Sequence, residues 1–363
     1  MIVKFNNELL LLARQYRGRS QAEVADISGL DQGHYSRIER GLLNAPPQDD
    51  TIARIADALD FPVSYFQQND ELSGLPLSIH EASWRKRASV KSGDLKRLHA
   101  ELNLRIMHIR RYLLSVDVES ELPLPRLDAD DLGGADKVAN HIRRTWGVPD
   151  GPVKSLTTLC ERAGIIVVHC NFPEKIDGVT MRLRDVPPII FLNQNAPADR
   201  MRHSLGHELG HLIMHSIPTD SMEEEADMFA GELLAPIKEL RSDLIGGRVT
   251  LERLVQLKKY WRVSVASLLY RAGRAGLVTK NQSSYLWRQI SSRGWRKREP
   301  DETQFPHELS QLYSEIISLH ENGLGYSADE LGRMLHLTVN EVRHLYGVAI
   351  PSGGGRSHLS IVK

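Results

Sequence analysis

The chain has 363 residues, more than one ordinary hydrophobic core can use, so two or three domains are expected. A composition of 41% hydrophobic and 25% charged residues is that of a globular protein and excludes a disordered chain. Acidic and basic residues balance at 46 each, so nucleic-acid binding would need a local basic face. No apolar run approaches the roughly 20 residues that span a bilayer. The only cysteines are Cys160 and Cys170, which suits a reducing compartment. We therefore expect a cytoplasmic protein with no membrane segment.

Four segments follow one another along the chain. Residues 1–68 predict a compact helical unit, and residues 69–130 a basic helical connector that contains Trp84-Arg85-Lys86-Arg87. Residues 131–280 mix helical and strand patterns, and residues 281–363 are helical again. The predicted fold is multidomain and mainly α: an all-α domain, an α+β domain with a small sheet, and a helical C-terminal extension.

The first segment contains a helix-turn-helix pattern. Ser20 and Glu23 form a capping box that begins one helix. Gly29 suits the turn, and Asp31 caps a second helix over 32–40. The second helix would present polar side chains to base edges and phosphates. The residues expected to contact DNA are Gln21, Gln32, His34, Ser36 and Arg37. The same spacing also fits a small helical bundle that binds protein.

As a string, SQAEVADISGLDQGHYSRIERG resembles the Xre/Cro-type repressor domain, over roughly residues 6–67. The resemblance implies a five-helix DNA-binding fold that works as a homodimer on the paired half-sites of a double-stranded DNA operator. Tyr35 falls where that family has a core residue. Gly33 departs from the family pattern, which puts a base contact at that position in doubt. Arg17, Arg19 and Arg40 could supply charge for the DNA backbone.

The third segment alternates helices with short apolar strands. The predicted elements are helices over 136–146 and 153–163, strands over 165–168, 178–183 and 188–193, and helices over 198–215 and 221–234.

The helix over 198–215 contains HELGH, an HExxH motif. Spacing of four residues places the imidazoles of His207 and His211 on one helix face, one turn apart, so both can bind one metal ion. Glu208 lies beside that face and can take a proton from water as a general base. The motif predicts a zinc metallopeptidase. The alternative is a helix that carries histidines on its surface and has no metal site.

The next predicted helix begins with the acidic run EEEAD over 223–227. A catalytic zinc ion needs a third protein ligand and an open fourth position. Glu223 and Asp227 share one helix face, so the pair can supply a ligand and an acceptor that orients an imidazole. Glu224 and Glu225 are expected to be solvated at the helix N-terminus, where carboxylates suit the helix dipole.

Other side chains near the motif are weaker candidates for binding the metal ion or the oxyanion. His203 and His215 continue the histidine stripe, but we expect them to lie beside the ligands or at the surface. Arg202, Tyr270 and Arg271 are candidate donors to the oxyanion of the reaction, although no spacing singles them out.

The strings MRHSLGHELGHLIMH and EEEADMFAGELLAP resemble the ImmA/IrrE family of metallopeptidases, with a match over about residues 135–280. The resemblance implies a zincin-like domain with a thermolysin-like Zn²⁺ site, in which Glu223 is the third ligand. Members of that family typically cleave a repressor or an antitoxin and so switch genes on. Gly206 departs from the pattern of that family, in which alanine is commoner at this position.

In the last segment, Ser327 with Glu330 and Thr338 with Glu341 form two capping boxes around a short turn. We interpret this pair of helices as a docking or dimerisation unit. A second DNA-binding element is the alternative.

Two hypotheses for the whole chain follow. In the first, a DNA-binding regulator carries a zinc endopeptidase that cleaves a repressor or antitoxin protein. In the second, a repressor or antitoxin carries a zinc domain that senses a signal without cleaving anything. The presence of Glu208 favours the first, because a structural zinc ion needs no base.

Overall fold

The computed structural model describes residues 5–70, 72–73, 92–245, 247–300, 305–346 and 359–361. The basic stretch Trp84-Arg85-Lys86-Arg87 lies outside these residues. Within them the protein is mainly helical with a small sheet, which confirms the predicted fold class. No helix in the described part of the chain is long and apolar enough to cross a membrane.

The chain divides into two compact units. Among the described residues, the first unit holds 5–73, 92–117 and everything from 314 onward, and the second holds 118–313. The four-segment division by sequence pattern stays a prediction, because this grouping does not test which segments fold alone.

Two of the N-terminal helices, α2 (Gln21–Ile27) and α3 (Gln32–Glu39), begin at the caps predicted from the sequence. In the chain they lie between α1 Asn7–Tyr16 and α4 Asp49–Leu59, and a 3-10 turn over Val63–Gln67 follows. Both hydrogen bonds of the Ser20–Glu23 capping box are present, and the Asp31 side chain accepts from the amide of His34. Gly29 adopts a φ of 64°, the left-handed conformation that the turn between α2 and α3 requires.

The connector supplies the long helix α5, Ser92–Tyr112, and the short strand β1, Val116–Val118. Helix α5 is buried along much of its length and packs against α1.

The second unit begins with helices α6 Ala129–Leu132, α7 Ala135–Thr145 and α8 Leu156–Arg162, and with strands β2 Ile166–Cys170, β3 Gly178–Met181 and β4 Ile189–Asn193. The sheet order is β2-β4-β3, with β4 parallel to β2 and antiparallel to β3. All five residues of β4 are buried, because helices cover the sheet and both faces of its central strand pack in the core.

Six further helices are described in the same unit: α9 Ala198–Met214, α10 Met222–Leu234, α11 Ile237–Leu244, α12 Leu251–Trp261, α13 Val265–Arg274 and α14 Lys280–Ser292. Helices α9 and α10 form an antiparallel pair whose close contacts are made by glycines. A Cβ on Gly206 would lie 3.1 Å from the Cβ of Ala230, and one on Gly210 would lie 3.3 Å from the Cα of Ala226.

Residues 305–312 run along the second unit and are fixed by buried or half-buried carboxylates. Glu308 accepts from the amide of Thr157 at 2.8 Å, and Glu161 accepts from the amide of Gln311 at 2.9 Å. The chain then forms α15 Leu312–Ser318, a π-helical turn Leu319–Gly323, α16 Ala328–Leu335, α17 Val339–Tyr346 and β5 Leu359–Ile361, which pairs with β1.

Helix α17 completes the first unit by packing against its N-terminal part. The Glu341 carboxylate accepts from the Tyr16 hydroxyl at 2.8 Å and from the Arg17 guanidinium at 2.9 Å. The Tyr346 hydroxyl lies 2.5 Å from Nδ1 of the buried His108. Glu341 therefore turns toward α1, although the amide of Glu341 still donates to Thr338 as the predicted cap requires.

Candidate metal centre and nucleic-acid interface

Helix α9 places the two motif histidines on one buried face. The Nε2 atoms of His207 and His211 are 3.0 Å apart, and both side chains are largely buried. The four-residue spacing is sufficient to bring the imidazoles together on a helix.

Helix α10 brings Glu223 to the same point. Its carboxylate oxygens lie 3.6 Å from Nε2 of His207 and 3.4 Å from Nε2 of His211. One nitrogen or oxygen atom of each residue falls within 4.8 Å of the others. Tetrahedral ligands about 2.1 Å from a zinc ion are about 3.4 Å apart, so this His/His/Glu set fits such an ion in donor type and spacing.

The two histidines are oriented by different partners. Nδ1 of His207 lies 2.7 Å from Oδ1 of Asp227, one turn after Glu223. Nδ1 of His211 lies 2.9 Å from Nδ1 of His215, whose Nε2 is 2.9 Å from the carboxylate of Glu225. The expectation that Glu225 is merely solvated is therefore wrong. His215 lies one turn after His211, and the loop between α9 and α10 brings the Glu225 carboxylate close to it.

The electrostatics of the cluster favour positive charge. Burial alone would lower the pKa of His207, but hydrogen bonds to Asp227 and Glu223 outweigh it and raise that pKa to about 10. Burial would raise the pKa of Glu223, yet hydrogen bonds from both motif histidines hold it well below its usual range. A site that stabilises positive charge in this way also suits a divalent cation.

Glu208 is held from strand β3. The Thr180 hydroxyl lies 2.7 Å from Oε2 of Glu208. A Cβ on Gly178 would be 2.9 Å from Cγ of Glu208, so only glycine leaves room for the glutamate side chain there. Neither residue is signalled by the sequence motif, because both lie far before it in the chain.

The candidate oxyanion donors separate into two groups. Arg202 is buried, and its two terminal nitrogens bind Glu308 and the carbonyl of Val153. Tyr270 and Arg271 instead line a cavity beside the metal centre.

The helix-turn-helix residues differ in exposure. Gln32 and Arg37 are exposed on α3, whereas His34 and Ser36 are half-buried. The Gln21 side chain donates to Glu39 at 2.6 Å and so lies at the contact between α2 and α3.

The core of this domain is fixed by a buried ion pair. Arg14 binds both oxygens of Glu39, at 2.5 and 2.8 Å, and the Tyr35 hydroxyl lies 3.3 Å from the same carboxylate. Tyr35 is fully buried, as expected from its position in the string. Arg17 and Arg19 are bound within the first unit, to Glu341 and to the carbonyl of Ala58 respectively.

A helix-turn-helix unit together with a His/His/Glu cluster on paired helices is the arrangement expected of a DNA-binding regulator that carries a metallopeptidase-type domain. Comparisons with known families agree. Residues 10–66 match the family model HTH_3, described as Helix-turn-helix, and residues 160–272 match Peptidase_M78, described as IrrE N-terminal-like domain. The second family is one of zinc metallopeptidases. These two segments carry the Xre-type helix-turn-helix match and the IrrE-like match respectively, so both resemblances are confirmed. A search of curated proteins found no match.

Proposed function

We propose that the chain is a zinc-dependent endopeptidase attached to its own DNA-binding domain. The observation that carries this proposal is the meeting of His207, His211 and Glu223 within 4.8 Å, with Glu208 next to them on α9. These four residues supply the three protein ligands and the general base that such a peptidase needs.

Each residue of the candidate site has a distinct role in the proposed hydrolysis of a peptide bond. Zinc held by His207, His211 and Glu223 would polarise the carbonyl of the scissile peptide bond and make water more acidic. Glu208 takes the proton of the attacking water and passes it to the leaving amine. Thr180 fixes the orientation of the Glu208 carboxylate, while Asp227 holds the ring of His207 in place.

Strand β3 offers a support for the substrate chain. It is an edge strand, bonded to β4 on one side, and it lies against Glu208. An extended polypeptide could pair with such an edge and present one peptide bond to the base.

The regulatory partners follow from the fused domains. We propose that Gln32 and Arg37 of α3 contact a double-stranded DNA operator, with Gln21, His34 and Ser36 nearby, and that two copies bind paired half-sites. The substrate would be a repressor or antitoxin protein encountered in the cytoplasm, where the DNA is.

The first test is the zinc content of purified wild type beside His207→Ala, Glu223→Ala and Glu208→Gln. We expect about one zinc ion per chain in the wild type and in Glu208→Gln, and loss in the two ligand variants, because a base is not a ligand. Incubation with a peptide mixture should give cleavage by the wild type and none by Glu208→Gln.

Absence of zinc from wild type that has been incubated with zinc would reject the proposal. Full zinc content without any cleavage would instead support the alternative, a repressor or antitoxin whose zinc domain senses a signal.

A further inference from the structure

A cavity of about 900 Å³ lies in the second unit next to the candidate metal centre. Its wall includes Asp227, the partner of His207, and His203, which is one turn before His207 on α9. Helix α13 and residues 295–299 form other parts of the wall. A polypeptide bound at the metal centre could extend into this space.

Most carboxylates on the wall are already neutralised by neighbouring cations. The pairs are Asp177 with Arg200 at 2.8 Å, Glu232 with Arg271, Asp227 with His207 at 2.7 Å, and both Asp199 and Glu299 with the buried Lys258. The remaining carboxylate, Asp136, lies 3.6 Å from Lys137. Each carboxylate of the wall therefore has a basic partner within the protein, although Asp199 and Glu299 share one lysine.

Three cations of the same wall have no such match. In the described part of the chain, no carboxylate lies within 4.0 Å of Arg241, Arg296 or Lys297. Arg241 donates to the carbonyl of Ala275 at 3.1 Å, and the Arg296 guanidinium lies 5.0 Å from the ring centroid of Trp287. These contacts hold two of the cationic side chains at the cavity without neutralising them.

A further guanidinium on the wall, that of Arg271, is already paired in charge with Glu232 but keeps free hydrogen-bonding capacity. Arg271 is largely buried, and it lies so close to α10 that a Cβ on Gly231 would be 2.6 Å from its Nη1. One nitrogen binds Glu232, while the buried Nε has no hydrogen-bond partner in the described structure. The polar capacity of this guanidinium is not used up by the protein.

We propose that the cavity binds an acidic segment of the substrate polypeptide beside the bond to be cleaved. Arginine guanidinium groups bind carboxylates through two parallel hydrogen bonds, and lysine adds a point charge. Arg241, Arg296 and Lys297 attract Asp or Glu side chains of the substrate, and Arg271 lies where one of them can be desolvated. This inference names a substrate class for the proposed function and rests on that function.

A binding experiment tests the cavity without requiring cleavage. Two fluorescent peptides of equal length and sequence, one with four Glu residues and one with Gln at those positions, are titrated with the Glu208→Gln protein. We expect the Glu peptide to bind about tenfold more tightly, with the preference lost in Arg296→Glu/Lys297→Glu. The exposed cations Lys154 and Lys259 provide a matched control, because Lys154→Glu/Lys259→Glu changes the net charge equally at residues that do not line the cavity.

Equal binding of the two peptides, or an equal loss of preference in both double variants, would overturn the proposal. It would also be overturned if Arg296→Glu/Lys297→Glu weakened binding to duplex DNA while leaving the peptide preference intact.

Mapping the bonds that wild type cleaves in a peptide mixture distinguishes failure of the proposed acidic substrate class from failure of the proposed peptidase activity. Cleavage with no excess of Asp or Glu near the cut would reject the acidic substrate class and leave the peptidase standing. A Glu-peptide preference without any cleavage would reject the proposed peptidase and leave the binding cavity standing.

Discussion

At the scale of single residues, the orientation of Glu208 depends on strand β3 and not on its own helix. The Thr180 hydroxyl, 2.7 Å from Oε2, is a hydrogen-bond donor to the carboxylate, and Gly178 leaves the space that the side chain occupies. The candidate metal ligands lie on α9 and α10, whereas Thr180 lies on β3, so its effect on the reaction should be separable from metal binding.

Thr180→Val should lower kcat by about tenfold, because a general base that is no longer oriented transfers protons less efficiently. Valine keeps the shape of threonine, so zinc content should not change. The check is kcat on one fixed peptide together with the zinc content. Thr180→Ser, which keeps the hydroxyl, should restore most of the rate. Loss of zinc in Thr180→Val would show that the residue supports the metal site itself.

The partners of the motif histidines should control metal affinity. Asp227→Asn is expected to weaken zinc binding by about 10- to 100-fold, since it removes the carboxylate that orients His207. Glu225→Gln should have a smaller effect, because Glu225 acts on His211 through His215. Competition with a chelator measures both affinities. Glu224→Gln is the control: this side chain is 68% exposed and bound to Arg274. An equal effect in all three variants would contradict the assignment.

At the scale of elements, the metal centre depends on how closely α9 and α10 approach. Gly206→Val should lower the free energy of unfolding of the second unit by about 1–3 kcal/mol, since the added atoms would collide with Ala230. Gly273→Ala is the matched control in α13. Its new Cβ would meet only Ser283 Oγ at 3.9 Å, so a gain of about 0.5–1 kcal/mol is expected from helix propensity. Chemical denaturation measures both changes, and stabilisation by Gly206→Val would refute the packing argument.

The sequence predicts the elements better than the contacts between them. Spacing along one helix is enough to bring His207 and His211 together, and local capping is enough to begin α2 at Gln21. The roles of Thr180 and Glu225 could not be predicted, because each depends on where a distant segment packs and neither residue type is distinctive in its own segment. The same holds for Glu341, whose cap position is visible in the sequence but whose partners on α1 are not.

At the scale of the whole molecule, the first unit should lose stability in acid through His108. Burial lowers the pKa of His108 well below its ordinary value, so the folded unit keeps this imidazole neutral while the unfolded chain takes up a proton. Stability from this group is therefore complete above about pH 6.5 and is lost as pH falls below it, at up to about 1.4 kcal/mol per pH unit.

His108→Gln should remove that part of the pH dependence, with unfolding of the first unit followed by denaturation between pH 5 and about pH 7.5. His344→Gln is the control, because His344 is exposed on α17. An unchanged pH slope in His108→Gln would show that other groups carry the acid sensitivity.

The first unit is completed by chain that comes after the peptidase-type domain, through the contacts of Glu341 with α1 and of Tyr346 with α5. A frameshift or stop codon late in the coding sequence would therefore spare every residue of the candidate metal centre and strip packing from the DNA-binding unit. In a genetic screen, lesions in the codons for residues 314–346 should behave like lesions in those for residues 5–70, and a loss of operator control should map to both segments.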